Sequence, residues 1–318
     1  MFDQASNATL KSGPVDPGAM KVSVIVVTMK ALSHLAHCLD SLSKQTHHCF
    51  EIILIDNSTC PGSNQELKQR YPAVKVYTEG RNLFYTGGLN RGIGMAAGEF
   101  ILCLNDDVVL EPEFIQKALE GFFATPRVGM VSGKILRWDK KTLDSTGLLL
   151  SSWRTARERG YGQVDRGQFD QNGLVFGVSG AVAFYRKAML EEVRHGNEYF
   201  DPRFLMFYED LDLAWRAQRM GWRAYYVCAA LGYHQRGGSF RPPSGIGKPF
   251  ARRYLDDRLH ARLIKNRYRT ILKNETWKGL FWHLVPMLIY DLAVWGYVLC
   301  FRPGVFKQYF MPRKDFDN

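Results

Sequence analysis

Apolar positions change period repeatedly along this chain. Val22–Thr28 (VSVIVVT) is an almost unbroken β-branched run, the pattern of a strand buried on both faces of a parallel sheet. Ala31–Gln45 then places Leu32, Leu35, Cys38, Leu39 and Leu42 at helical spacing. A strand pattern returns over Glu51–Asp56, a helical one around Gln65–Tyr71, and a short strand over Ala73–Thr78. A helix over Gly87–Ala97 leads into the strand Phe100–Leu104. Strand and helix alternating at this interval predict a Rossmann-like, doubly wound α/β sheet, in which ligands sit beyond the carboxyl ends of the strands. Thr28, Asp56, Asp106 and Asp107 all fall at such ends.

From about Val128 the rhythm loosens. Val128–Leu136, Gly147–Leu150 and Val175–Tyr185 read as strands of a mixed sheet, with a loop-rich insert, Arg154–Gln171, among them. A helix over Asp210–Met220 and a short strand, Arg223–Val227, follow, and Gly232–Ser239 falls in the loop after that strand. The Arg/Pro/Gly stretch Arg236–Pro249 reads as a mobile loop. A basic helical segment (Tyr254–Leu272) and an apolar one (Gly279–Phe301) close the chain, and no internal repeat is present.

The 318 residues, 46% hydrophobic and 23% charged, suffice for one large domain with an appendage. The net charge of +11 is concentrated. Between Arg241 and Lys278 stand 11 Lys/Arg residues against 3 acids, a block suited to nucleic acid, an anionic membrane or a phosphorylated substrate. The six cysteines form no CxxC pair, so neither a zinc site nor a disulfide framework is indicated, and a reducing compartment is expected. Residues 1–20 lack an apolar core and read as a disordered tail, not as a signal peptide.

Three polar constellations carry candidate chemistry. The stretch Arg81-Asn82-Leu83-Phe84-Tyr85-Thr86-Gly87-Gly88-Leu89-Asn90-Arg91-Gly92 leads through an apolar run to Asn105-Asp106-Asp107. It joins a glycine-rich helix entrance, favourable to phosphate, to carboxylates suited to Mg²⁺ or Mn²⁺. Alone, the Asp pair reads equally well as a turn or helix cap. The second constellation, Phe200–Arg216, crowds aromatic rings around Glu209, Asp210 and Asp212. A carboxylate losing hydration there can have a raised pKa, as a general base requires. Asp212 is better read as a partner of Arg216 within the helix, which leaves Asp210 as the base. The third is Gly232-Tyr233-His234-Gln235-Arg236-Gly237-Gly238-Ser239, where a neutral imidazole could complete a metal site and Gly237-Gly238 would let the loop fold over a ligand.

In order and spacing these motifs resemble glycosyltransferase family 2, inverting, nucleotide-sugar-dependent enzymes of the GT-A fold, and within it bacterial rhamnosyltransferases of cell-surface polysaccharide synthesis. The resemblance covers roughly Lys21 to Asn274. It implies a GT-A domain over 21–250, with a nucleotide-binding half (21–127) and an acceptor half (128–250), followed by membrane-proximal helices over 251–318. It further implies that Thr28 and Asp56 hold the nucleoside, that Arg81, Asn82 and the Gly87–Asn90 turn shape the base and diphosphate pocket, and that Asp106 touches the ribose side. Asp107 and His234 would bind Mg²⁺ or Mn²⁺, Asp210 would be the catalytic base, and Gly180 and Ala181, with Glu209, would line the pocket for donor sugar and acceptor. The implied partners are a dTDP- or UDP-sugar donor and a glycan or polyprenyl-linked saccharide acceptor.

The chain departs from the family pattern in two places. Thr28-Met29-Lys30 replaces Thr-Tyr-Asn, removing a stacking Tyr while Lys30 could approach a phosphate; Asn82-Leu83-Phe84-Tyr85 replaces Asn-x-Gly-Phe, removing a glycine. No Gln-x-x-Arg-Trp motif follows His234, which favours transfer of a single sugar over processive synthesis.

Gly279–Phe301 is long enough to span a bilayer, yet contains His283, Pro286 and Asp291, and a central Asp costs roughly 2.5–3.5 kcal/mol on insertion scales. With its aromatic residues and the basic segment before it, 254–301 is expected to lie on an anionic membrane from the cytoplasmic side. Packing in an oligomer or core, or a true span, are the alternatives. An oxidoreductase is disfavoured because no Gly-x-Gly-x-x-Gly follows the first strand. A nucleic-acid role is disfavoured because the basic residues flank an apolar helix and no aromatic stacking platform. A catalytically silent sugar-nucleotide-binding module would not need Asp107, Asp210 and His234 together.

Overall fold

The computed structural model describes residues 17–29, 32–58, 65–236 and 255–311. Most of the expected tail, Lys30, and the loop from Gly237 to Pro249 lie outside the described residues. The first half runs β1 (Val22–Thr28), α1 (Leu32–Leu42), β2 (Phe50–Asp56), α2 (Gln65–Arg70), β3 (Val74–Thr78), α3 (Phe84–Met95) and β4 (Phe100–Asn105). The second half continues with β5 (Val108–Leu110), α4 (Phe114–Gly121), β6 (Val128–Arg137), β7 (Leu143–Ser145), β8 (Leu148–Leu150), β9 (Ala156–Glu158), β10 (Gly173–Val175) and β11 (Val182–Arg186). Then come α5 (Lys187–Val193), α6 (Glu209–Arg219), β12 (Arg223–His234), α7 (Asp257–Asn274), α8 (Trp277–Phe301) and α9 (Pro303–Phe310).

Ten strands form one sheet in the order β10-β12-β6-β11-β4-β1-β2-β3, with β5 on β12 and β7 on β6. β4, β1, β2 and β3 are mutually parallel, as the strand–helix alternation predicts. β11 is antiparallel to both β4 and β6, and β12 is parallel to β6. β1 explains the layering: Val22, Val24 and Val26 pack with α1 and α4 on one face, while Ile25 and Val27 pack with α3, α5 and α6 on the other. Alternating side chains from a fully buried strand thus serve two cores, which is why the run is apolar without a break.

Two sequence expectations are corrected here. Val175–Tyr185 is not one strand: β10 ends at Val175, and β11 begins at Val182 on a different neighbour, leaving Phe176–Ala181 as the link between them. The strand expected over Arg223–Val227 continues to His234, since β12 follows β6 beyond a register shift and also pairs with β5. His234 therefore ends a strand and does not lie in a loop.

Helix α3 lies close against the sheet because it carries glycines on its inner face. A Cβ on Gly92 would stand 2.3 Å from Ile25 Cγ2, and one on Gly88 would stand 2.8 Å from Val27 Cγ1. Gly92→Ala is expected to force α3 off β1 and cost ~1–3 kcal/mol, as overpacking does. An unchanged midpoint in chemical denaturation would contradict this packing.

Candidate active site

The carboxyl ends of β1, β2, β4 and β12 lie along one sheet edge, and β11, running the opposite way, brings its start to that same edge. Val182 pairs with Leu104, and Asn105 N donates to Ala181 O at 3.0 Å. This single antiparallel insertion puts Gly180 and Ala181 beside Asn105-Asp106-Asp107.

Where β1 and β4 end, Thr28 Oγ1 donates to Asp106 Oδ2 at 2.6 Å. Burial raises the Asp106 carboxyl above its ordinary range, with the Thr28 hydrogen bond opposing and the neighbouring Asp107 adding to the rise. At the end of β2, Asp56 receives Ser58 N at 2.8 Å and Ser58 Oγ at 2.9 Å. Arg81 is exposed. Asn82 Oδ1 accepts Phe84 N at 2.7 Å, and Asn57 binds the same turn from below, donating to Phe84 O at 2.9 Å and accepting Leu83 N at 3.3 Å. Phe84, where the family pattern named above would have glycine, takes the left-handed backbone that glycine favours, with φ 56°. The turn survives the substitution because Asn57 and Asn82 fasten it on both sides.

Gly87 and Asn90 do not form a turn; both lie within α3. Asn90 is occupied elsewhere: its side chain donates to Phe200 O at 2.7 Å and accepts Tyr199 N and Phe200 N at 3.1 and 2.8 Å. It fastens α3 to the segment leading into α6.

Asp210 lies under Gly180. Gly180 N donates to Asp210 Oδ2 at 2.9 Å, Leu211 N donates to Asp210 Oδ1 at 2.7 Å, and Tyr85 Oη donates to Gly180 O at 2.6 Å. Burial raises the Asp210 carboxyl, and these N–H groups oppose the rise. Burial and the adjacent Asp210 push Glu209 up to about 8, and Glu209 Oε2 is buried without a hydrogen-bond partner. Asp212 binds Arg216 Nε at 3.1 Å, as the helical spacing predicts, and also Lys273 Nζ at 2.9 Å and Asn274 Nδ2 at 2.8 Å from α7.

His234 is held at both ring nitrogens, Nε2 at 3.1 Å from Asp107 Oδ1 and Nδ1 at 2.8 Å from Asp144 Oδ2. Burial works against its protonation, but the two carboxylates outweigh it and raise the imidazole to about 9. Arg236 Nε also pairs with Asp144. Among the described residues no group of three or more His, Cys, Asp or Glu is arranged to hold a metal ion. Asp107 and His234, the pair expected to bind a cation, face each other directly. For His234 Nε2 to join Asp107 on a hard cation that takes its remaining oxygens from phosphate and water, the imidazole would have to give up the proton that the two carboxylates favour.

Several site residues carry no readable motif. Asp144 and Glu158 lie in β7 and β9, within and beside what the sequence shows only as a loop-rich insert. Glu158 is buried, receives Ser145 Oγ and, at 2.8 Å, Ser179 Oγ, and is raised by burial to about 7. Leu205, Phe207 and Tyr208, immediately before Glu209, are all left-handed, at φ 59°, 68° and 71°. Leu205 O accepts Tyr85 N and Thr86 N, while Asn266 Nδ2 of α7 donates to Phe204 O, Met206 O and Phe207 O at 3.0, 2.9 and 2.9 Å. Such strain persists only where neighbours over-determine it.

The family model described as "Glycosyltransferase like family 2" matches residues 17–252. The chain belongs to this family. It is 28% identical over 242 residues to an N-acetylglucosaminyl-diphospho-decaprenol L-rhamnosyltransferase of Mycobacterium tuberculosis, covering 67% of this chain and 75% of that one. It is 28% identical over 225 residues to the O-antigen biosynthesis protein RfbC of Myxococcus xanthus, covering 67% of this chain but 17% of the relative. Among solved structures, GalNAc-T7 with UDP, GalNAc and Mn²⁺ superposes with a TM-score of 0.60 at 14% identity, covering 80% of this chain and 48% of that one. S. aureus TarS superposes with a TM-score of 0.56 at 18% identity, covering 91% and 47%. The chain thus spans about half the length of those two proteins, and they show the GT-A fold.

A carboxyl whose folded pKa lies above its unfolded value contributes stability that is full below the unfolded pKa and is lost as pH rises through the folded one. For Glu209 that window runs from its ordinary 4.5 to about 8. Glu209→Gln is expected to gain stability relative to the natural chain as pH rises across this window, measured by denaturation. A pH-independent difference would contradict the placement of Glu209.

Proposed function

We propose that this glycosyltransferase moves a single sugar, L-rhamnose from dTDP-rhamnose, onto a hydroxyl of a glycan or lipid-linked saccharide with inversion at the anomeric carbon. The observation that carries the reading is Asp210, a buried carboxylate pinned by two backbone N–H groups at the strand edge where Thr28, Asp106 and Asp107 gather. The printed function of the mycobacterial relative supports the choice of sugar.

In this reading Thr28, Asp56 and Asp106 hold the nucleoside. Arg81, Asn82 and the start of α3 border the diphosphate, and Glu209, Gly180 and Ala181 face sugar and acceptor. Asp107 and His234 would hold Mg²⁺ or Mn²⁺, which supplies charge to balance the departing diphosphate. Asp210 accepts the proton of the acceptor hydroxyl, whose oxygen attacks the anomeric carbon from the face opposite the nucleotide. The new C–O bond forms as the bond to the diphosphate breaks, and the electron pair leaves with the phosphate oxygen. Burial makes Asp210 basic enough to take the proton, and the N–H groups of Gly180 and Leu211 keep its oxygens in place. The chain would work in the cytoplasm, with its C-terminal helices on the anionic inner face of the membrane.

Asp210→Asn is expected to lower transfer by ~10²–10⁴-fold, the usual weight of a positioned base, while donor-induced thermal stabilisation persists. Transfer at the natural rate would remove Asp210 from the role of base. In a thermal-shift screen with Mg²⁺ or Mn²⁺, dTDP-rhamnose is expected to stabilise the chain more than UDP-hexoses. The reverse order would overturn the sugar assignment in favour of a UDP-sugar donor.

A further inference from the structure

Helix α8 divides into two faces. Its inner face is tied down: Asp291 accepts Arg267 Nη1 at 2.6 Å, His283 Nδ1 lies 3.0 Å from Arg154 Nη2, and Tyr290 packs on Trp153. The opposite stripe, with Phe281, Trp282, Val285, Ile289 and Leu292, is 60–77% exposed. Asp291, the residue that would burden a bilayer span, is therefore spent on an ion pair with the buried Arg267 of α7.

Arg262, Lys265 and Arg269 recur on α7 at spacings that put them on one face. Neither Lys265 nor Arg269 makes an ion pair with a carboxylate among the described residues. The face reaches in two directions. Arg269 Nη1 donates to Arg203 O at 2.7 Å and its guanidinium lies 5.6 Å from the Phe204 ring, beside the strained segment that precedes Asp210. Lys265 Nζ lies 5.2 Å from the Tyr309 ring, within the aromatic cluster of α9 and Trp295. Burial lowers all three basic groups from their ordinary values; Arg269 adds to this at Arg262, both arginines add at Lys265, and at Arg269 itself the Asp201 carboxylate opposes the fall. A like-charged row, half-buried between a catalytic segment and exposed apolar helices, suits an amphiphile with a phosphoryl head and an apolar tail.

We propose that the Arg262–Lys265–Arg269 face of α7 is a subsite for the diphosphate of a polyprenyl-diphosphate-linked acceptor, whose chain runs from Lys265 past Tyr309 along the exposed Phe306, Phe310 and Met311 at the end of the chain's described helices. The subsite rests on the lipid-linked acceptor of the proposed function. It would place the acceptor's sugar toward Asp210 by holding the group next to it.

The test uses the full chain and phosphatidylcholine vesicles doped with either polyprenyl diphosphate or phosphatidylglycerol at equal total charge, read by flotation. The natural chain is expected to prefer the diphosphate vesicles. Arg262→Gln with Lys265→Gln is expected to weaken that binding about tenfold or more, as losing two charges beside phosphate should. The charge-keeping pair Arg262→Lys with Lys265→Arg should retain it. Arg269 is left intact because it also holds the Arg203 backbone. A neutralised variant that keeps the preference would overturn the subsite. So would a natural chain with no preference, since the face would then read only surface charge from bulk phospholipid. Donor-induced thermal stabilisation, measured on the same samples, should be equal in all three proteins. Its absence from the natural chain would defeat the transferase reading without altering the vesicle result.

Discussion

One residue, Gly180, carries the constraint on which the site depends. Its N–H holds the Asp210 carboxylate and its carbonyl receives the Tyr85 hydroxyl, so α6 and α3 meet across a single residue. A Cβ there would lie 3.2 Å from Glu209 Oε1 and 3.4 Å from Asp210 Oδ2. Glycine is favoured here by proximity to the two carboxylates, and no left-handed backbone is involved. The peptide reaches this place because β11 is antiparallel to β4, which brings the residues before β11 to the edge where the parallel strands end. Topology, not local sequence, makes donor side and base side adjacent.

The base side is then stiffened from behind. Leu205, Phe207 and Tyr208 hold left-handed backbones that cost of order 1–3 kcal/mol each, and Asn266 answers three of the neighbouring carbonyls at once. Asp212, one turn into α6, is bound by Lys273 and Asn274 of α7, the helix that also carries Asn266. Helix α7 therefore fastens the residues around Asp210 on one side and α8 on the other, where Arg267 meets Asp291. An apolar helix of uncertain purpose in the sequence becomes part of a continuous support reaching the proposed base.

The parallel half of the fold was legible because β1, β4 and the end of β2 are buried on both faces, β3 at the sheet edge keeps apolar alternation, and the intervening helices keep their period. The polar strand ends could be placed from that pattern alone. Less legible were the short elements, β5, β7 and β9, whose three residues each carry no period. Glu158 and Asp144 were hidden for this reason, as their chemistry comes from partners distant in sequence: Ser179 for one, His234 for the other. The tie of Asn90 to Tyr199 and Phe200 is not legible in the sequence, where a helix-entrance asparagine beside glycines suggests phosphate, because only tertiary contact supplies these partners. The glycine missing at Phe84 was visible, but its consequence was not; the backbone kept the glycine conformation because Asn57 and Asn82 hold it.

The account stands on one displacement, with the acceptor activated by Asp210 on the side opposite the departing nucleotide. The most direct measurement is NMR of the anomeric centre in the initial product, compared with that of the sugar in the donor. The account predicts the opposite anomeric configuration from the first turnovers onward. A product that keeps the donor's configuration would contradict it, because retention requires a second displacement or a front-face path that a single base under Gly180 does not provide.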